Sequence, residues 1–170
     1  MQVSSRMIAG PVGLVLLALV GCGPEGGLGP SSFQSQYGVA RSALESGRYS
    51  RAIASYGRLM DMAGPAQNHI RLELAHAYLR DGQFAAAARE ARILAQATQG
   101  QDRAAALSVQ GTADHEMGLA ALSQGDRARG FALFRQADAA MQTVVTDYPD
   151  LDPLGSLAAR RASIKVRLGT

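Results

Sequence analysis

Three stretches of this chain share one spacing of leucine, glycine and a small residue. In each, a Gly follows a Leu by three positions and a small residue follows that Gly by five. The sets are Leu44, Gly47 and Ala52; Leu79, Gly82 and Ala87; and Leu122, Gly125 and Gly130. The glycines are 35 and 43 residues apart, and a period near 35 is typical of helical repeats. Since Gly ends helices in a left-handed conformation, and a small residue lets two helices approach, each stretch predicts a helical hairpin.

Aromatic and aliphatic residues surround these glycines at matching offsets. The second stretch carries Leu74, Ala75, Tyr78 and Phe84; the first keeps Tyr49 and Tyr56; the third keeps Met117, Gly118, Phe134 and Ala137. At these residues the chain resembles the tetratricopeptide repeat (TPR) family. It departs from that pattern at Arg127, where an aromatic is usual, and at Gln36, Arg71 and Asp114, near the start of each first helix. The resemblance implies an all-α solenoid of about three hairpins plus a C-terminal capping helix.

The repeats are expected near 33–66, 68–101 and 103–146, with the capping helix over 153–168. Residues 33–170 would then form one helical domain. The longer third interval predicts that both arms of the third hairpin, 103–124 and 127–146, are extended by about two turns.

Individual residues mark the ends and contacts of the later helices. Asp102 has the position of an N-cap, and Asp152 is expected to cap the last helix with Pro153 in its first turn. Gly111 and Gly118 lie inside the long first arm, where they permit either a close contact or a kink.

The first residues predict a targeting segment. An apolar run from Met7 to Val20 follows Arg6; it is short for a bilayer span but typical of a signal peptide. The run ends in Leu19-Val20-Gly21-Cys22, which resembles the lipobox of bacterial lipoproteins. The resemblance implies that residues 1–21 are removed and that Cys22, the sole cysteine, carries covalent lipid. An ordinary secretory signal with a chance Cys is the alternative.

The segment after the lipobox predicts a tether. Residues 23–32 are rich in Gly, Pro and Ser, a composition that buries little and stays flexible, so 22–32 are interpreted as lipidated Cys plus tether. In the enterobacterial sorting pattern Gly23, rather than Asp, favours the outer membrane. The resemblance therefore implies a lipid-anchored protein of the bacterial envelope, at the outer membrane and facing the periplasm.

Catalytic and nucleic-acid motifs are missing from the sequence. The net charge of +3 is small for a nucleic-acid-binding surface. His115-Glu116 lacks the second His of the His-Glu-x-x-His zinc motif, because Leu119 stands there. Lys165 is the only Lys and no P-loop surrounds it. We therefore expect no enzyme activity, no metal and no cofactor apart from the lipid on Cys22.

The TPR resemblance also implies a binding groove, because the first helix of each hairpin lines a concave face in that family. The residues that the glycine spacing places there are Gln34, Tyr37, Arg41, Glu45, His69, Leu72, His76, Arg80, Thr112, His115 and Leu119. All three His of the chain belong to this set, either as pH- or metal-responsive groups or as ordinary half-exposed residues. The Lys/Asn/Arg clamp that some TPR modules use for acidic peptides is absent from these positions.

The expected function is that of a non-enzymatic adaptor that holds an extended or helical segment of another envelope protein. Family resemblance favours pilus or secretion-apparatus assembly, with outer-membrane β-barrel assembly and peptidoglycan-enzyme scaffolding as alternatives. A small-ligand-binding or metal-dependent envelope enzyme and a structural homo-oligomer are further alternatives. The basic cluster from Arg160 to Arg167 is interpreted as a solvated face, or else as a contact for anionic lipid or an acidic partner.

Overall fold

The computed structural model describes residues 30–169, and this part of the chain contains α-helices and no strand. The helices are α1 (Pro30–Glu45), α2 (Tyr49–Met60), α3 (Gln67–Arg80), α4 (Phe84–Ala97), α5 (Gly100–Ser123), α6 (Arg127–Asp147) and α7 (Ser156–Leu168). Short 3₁₀ helices occupy Gly64–Ala66 and Pro149–Leu151. The predicted all-α fold class is confirmed. The predicted signal peptide, Cys22 and most of the tether lie outside the described residues, and α1 begins at Pro30, inside the segment predicted as tether.

The connections after α1, α3 and α5 have one geometry. After α1, the Gly47 N–H donates to the Leu44 carbonyl at 3.1 Å, and the Arg48 N–H donates to the Ala43 carbonyl at 2.9 Å. The same two bonds recur after α3 and α5. The glycine in each connection has a left-handed φ: +75° at Gly47, +75° at Gly82 and +82° at Gly125. This Schellman arrangement satisfies helix-end carbonyls, and these glycines stand where the sequence predicted helix ends.

Each helix packs chiefly on its neighbours in chain order, with added contacts between α3 and α5 and between α5 and α7. Tyr56, Leu59 and Ile70 are fully buried where α1, α2 and α3 meet. Phe134 and Ile164 are fully buried in a second cluster where α5, α6 and α7 meet. Between these clusters the contacts of α3, α4 and α5 are rich in alanine. Small side chains there allow the helix axes to come close.

The third hairpin is longer than the second. α5 has 24 residues and α6 has 21, against 14 each for α3 and α4. Gly111 and Gly118 both face α6, and α5 is continuous through them, so they provide the predicted close contact. A Cβ built on Gly111 would lie 2.9 Å from Met141 Cγ.

Two predicted helix starts are wrong. α5 begins at Gly100, so Asp102 lies in its first turn and the N-cap is Gln99, which makes no side-chain cap bond. α7 begins at Ser156 rather than Pro153, because Gly155 adopts a left-handed φ of +68° before the helix. Asp152 nevertheless caps α7 from this greater distance: its carboxylate accepts the Leu157 N–H at 3.0 Å and the Ala158 N–H at 2.9 Å.

Ion pairs stand at two positions where the TPR pattern has an aromatic. Arg71 of α3 donates to Glu90 of α4 at 2.6 Å. Asp114 of α5 is fully buried and accepts from Arg92 of α4 at 3.4 Å. Burial raises the pKa of Asp114, although the hydrogen bond from Gln110 and the charge of Arg92 act in the opposite direction. These pairs join α4 to the helices on both sides, a role that local residue spacing does not reveal.

The basic cluster on α7 is used within the chain. Arg160 contacts Glu116, and Arg161 Nε lies 2.9 Å from Asp138 Oδ1, as an ion pair without hydrogen-bond alignment. The Arg167 guanidinium lies 6.0 Å from the centre of the Phe134 ring. Since three of its four cations contact α5 or α6, the cluster is not simply a solvated face.

Candidate functional site

The predicted groove residues of α1 and α3 come together on one face. Tyr37 Oη lies 3.0 Å from His69 Nε2 and donates to Glu73 Oε1 at 3.4 Å. Arg41 Nη1 donates to Tyr37 Oη at 3.3 Å and to Glu73 Oε1 at 3.4 Å. Four side chains from two hairpins thus converge, with a half-buried carboxylate among them.

Sequence reasoning missed Glu73, the acceptor at the centre of this network. It lies four residues after His69 and three before His76, so helical spacing already puts it on the same face of α3. The spacing carried over from the family selected His69, Leu72, His76 and Arg80 and passed over it. The sequence did contain a signal for it, namely an acidic residue on a helix face that otherwise carries His69, His76 and Arg80.

Arg41 is held in place by its own helix as well. Its Nε donates to Glu45 Oε1 at 2.8 Å, one turn further along α1. The hydrogen bond to Tyr37 and then the one to Glu45 raise the pKa of Arg41 above its ordinary value. The guanidinium therefore remains a cation at the rim of the face at all physiological pH values.

A cavity of about 270 Å³ opens beside this network. Its lining residues are Arg41, Leu44, Glu45, Glu73, His76 and Arg80. Burial, followed by the charge of Arg80, lowers the pKa of His76, although Glu73 acts in the opposite direction. Among residues 30–169, no group hydrogen-bonds the His76 ring. The lowered pKa favours the neutral ring at pH 7, in which one nitrogen can donate and the other can accept.

Arg80 closes the cavity at the end of α3. Its Nη2 donates to Tyr49 Oη at 3.1 Å, and its guanidinium lies 5.5 Å from the centre of the same ring. No carboxylate of the described residues lies within 4 Å of Arg80. The cation is therefore positioned by an aromatic ring and keeps its charge available to a ligand.

Leu72 lies apart from this cavity. It is half-buried and packs against apolar clusters that contain Val109 and Ala106 of α5. It also lines a smaller space of about 100 Å³ with Asn68, His69, Leu94 and Asp102. Leu72 therefore contributes to the packing of α3 on α5, and it does not line the cavity beside His76.

Two of the three predicted groove residues of α5, His115 and Leu119, lie against α7. His115 is buried, and Leu119 packs in the cluster that includes Leu157 and Ile164. The half-buried Thr112 donates its hydroxyl to the Ser108 carbonyl at 2.8 Å, within its own helix. The part of the predicted groove that contains His115 and Leu119 is therefore occupied by α7.

Arg160 of α7 joins His115 to Glu116. Its Nη1 lies 3.1 Å from His115 Nδ1 and donates to the Glu116 carboxylate. His115 Nδ1 also lies 3.3 Å from Glu116 Oε1, so it accepts from Arg160 when it is unprotonated and donates to Glu116 when it carries a proton. Burial is the largest cause that lowers the pKa of His115, and the charges of Arg160 and Arg167 add to it against the opposing effect of Glu116. The contacts of this cluster hold α7 on α5 and therefore indicate a structural role.

Residues 30–169 contain neither a candidate metal site nor a candidate membrane span. No group of three or more His, Cys, Asp and Glu side chains in this range is arranged to hold a metal ion. No helix within it combines the length and hydropathy of a membrane span. No protein-family model, curated protein or solved structure matches this chain. Inferences about function therefore rest on its own residues and their geometry.

Proposed function

We propose that the chain is a TPR-type solenoid of three helical hairpins capped by α7. Three observations support this: the repeated Schellman connection, the buried small residue five positions after each left-handed glycine, and the packing of each helix on its sequence neighbours. In such an array stability is built from neighbouring interfaces, and a terminal cap protects the last one. α7 has that position.

The protein is further proposed to be a lipoprotein of the bacterial envelope, anchored through Cys22 and facing the periplasm from the outer membrane. The support is the lipobox resemblance at residues 19–22. More than one acyl chain gives a stable anchor, at about 0.8 kcal/mol for each buried CH₂. Mass spectrometry of the N-terminal peptide from wild type and Cys22→Ser tests this. Lipid on wild type alone supports the anchor, and an unmodified Cys22 overturns it.

The function that the geometry supports best is a non-enzymatic adaptor. The observation that carries it is the cavity between α1 and α3, where His76 has no hydrogen-bond partner in the described part of the chain and Arg80 has no carboxylate partner. Polar groups that converge on a surface cavity orient a ligand and give specificity. An extended or helical segment of an envelope protein would bind across α1 and α3, with pilus or secretion assembly preferred.

Photo-crosslinking in living cells tests this adaptor role. A photoreactive residue replaces His76 in one variant and Arg135, an exposed residue of α6, in the control variant. One dominant envelope protein captured from position 76 alone supports the adaptor role and identifies the machine. Equal adducts from both positions, or none from position 76 at wild-type protein levels, overturn it.

A further inference from the structure

Charge is distributed unequally between the two ends of the helices. We define the turn end as the connections 46–48, 81–83 and 124–126, the helical turns beside them and the last turn of α7. It carries seven Arg and Lys side chains and three carboxylates. The opposite end, made of 61–66, 98–99, 148–155 and their flanking turns, carries two Arg and five Asp. An acidic ligand is therefore attracted to the turn end.

The cations of the turn end lack carboxylate partners among residues 30–169. In the described residues no carboxylate lies within 4 Å of Arg127 or Arg129. Two carboxylates of the turn end accept local hydrogen bonds: Asp126 accepts the backbone N–H of Arg129 at 3.0 Å, and Asp81 accepts from the Gln83 side chain at 2.7 Å. The Arg127 guanidinium lies 5.4 Å from the centre of the Phe131 ring, whereas the Arg129 side chain has no hydrogen-bond or ion-pair partner among the described residues and is available to another molecule.

A surface groove of about 560 Å³ lies at this end, between α4 and the third hairpin. Phe84 and Met117 contribute to its floor, and both pack on a buried alanine cluster. Arg89 and Arg129 also line the groove. The Arg89 side chain is 63% exposed and shares the Glu90 carboxylate with Arg71, so this trio has a surplus positive charge.

We propose that this turn-end groove is a second docking surface, for an acidic protein segment that carries an apolar side chain. The apolar side chain would lie on Phe84 and Met117, while flanking carboxylates meet Arg89 and Arg129. Arg pairs with carboxylates through two parallel hydrogen bonds, which gives geometric selectivity as well as attraction. The apolar floor favours a protein segment over a lipid headgroup, because a headgroup would use the arginines alone. No residue of this groove lines the cavity beside His76.

Binding of labelled eight-residue peptides to the full chain in detergent tests this proposal. The first peptide has four Glu around a central Phe; the second replaces Phe by Ser; the third replaces Glu by Lys. We expect fluorescence anisotropy to detect the first peptide only, with an affinity that falls as salt rises. Arg129→Glu should lower that affinity tenfold or more.

Arg103→Glu is the matched control, since Arg103 is exposed, lacks a carboxylate partner in the described residues, lies at the opposite end and changes the net charge equally. It should change the affinity less than twofold. Equal losses in both variants, or equal binding of the Ser peptide, would overturn the proposal. Binding to vesicles with one-third anionic lipid that depends on Arg129, without any binding of the acidic peptide, would also overturn the proposal. Crosslinking from position 76 should not change in Arg129→Glu, which separates this surface from the proposed adaptor cavity.

Discussion

The Phe134 ring of α6 lies directly against the backbone of Gly118 in α5. A Cβ built on Gly118 would be 2.7 Å from Phe134 Cε1 and 3.3 Å from the Gly130 carbonyl oxygen. On the opposite helix, a Cβ built on Gly130 would be 2.7 Å from Leu122 Cδ2. Each glycine thus admits a large side chain from the other helix. The close packing of α5 on α6 therefore requires glycine at both positions.

Gly118→Ala should therefore destabilise the protein. Overpacking a buried contact costs about 1–3 kcal/mol, and the better helix propensity of Ala returns up to about 1 kcal/mol. Urea unfolding followed by circular dichroism measures the difference. Gly57→Ala is the control, because Gly57 lies inside α2 and a Cβ built on it would have nothing within 4 Å; it should raise the free energy of unfolding. A stabilising effect of both substitutions would contradict the tight interface.

Local sequence signals identified the helices and the close contacts better than the polar site. The left-handed glycines and Gly118 act within or between adjacent helices, where spacing alone constrains the geometry. The contact between Arg160 and His115 joins residues 45 positions apart, so no local pattern predicts that α7 covers the part of the groove that contains His115 and Leu119. The buried Asp114 is likewise paired with Arg92 of another helix.

Asp152 should contribute to the stability of α7. Its carboxylate accepts two backbone N–H groups and the Ser156 hydroxyl. Burial acts to raise the pKa of Asp152, but these hydrogen bonds outweigh it, and the pKa lies below its ordinary value. Asp152→Ala should cost about 0.5–2 kcal/mol, as losses of N-terminal caps do. Asp150→Ala, at an exposed neighbouring position, should cost under about 0.5 kcal/mol; similar costs would refute the capping role.

His115 should make stability depend on pH. Because its folded-state pKa lies below the ordinary value of 6.5, the unfolded chain binds a proton more readily than the folded chain. The free energy of unfolding should therefore be largest above pH 6.5 and should fall as pH drops from 6.5 to the folded-state pKa. His76 has a pKa shift in the same direction and adds to this fall.

An NMR titration of the His115 ring checks the shift directly, and urea unfolding at pH 7.5 and pH 5.5 checks its consequence. His115→Gln should reduce the difference between the two pH values. The subtraction of variant from wild type removes the contribution of Asp114, whose raised pKa acts in the opposite direction. A His115 pKa at or above 6.5 would contradict this prediction.

Glu73 should hold α1 on α3, although Glu45 makes the shorter bond to Arg41. The Glu73 side chain is 15% exposed and accepts from both Tyr37 and Arg41, whereas the Glu45 side chain is 63% exposed and contacts its own helix. Glu73→Gln should cost about 1–3 kcal/mol, since the hydrogen bonds from Tyr37 and Arg41 lose their charged acceptor. Hydrogen exchange should then accelerate in α1. Glu45→Gln should cost under about 0.5 kcal/mol, as exposed pairs within a helix do. Equal effects of the two substitutions would mean that α1 is held by its apolar face alone.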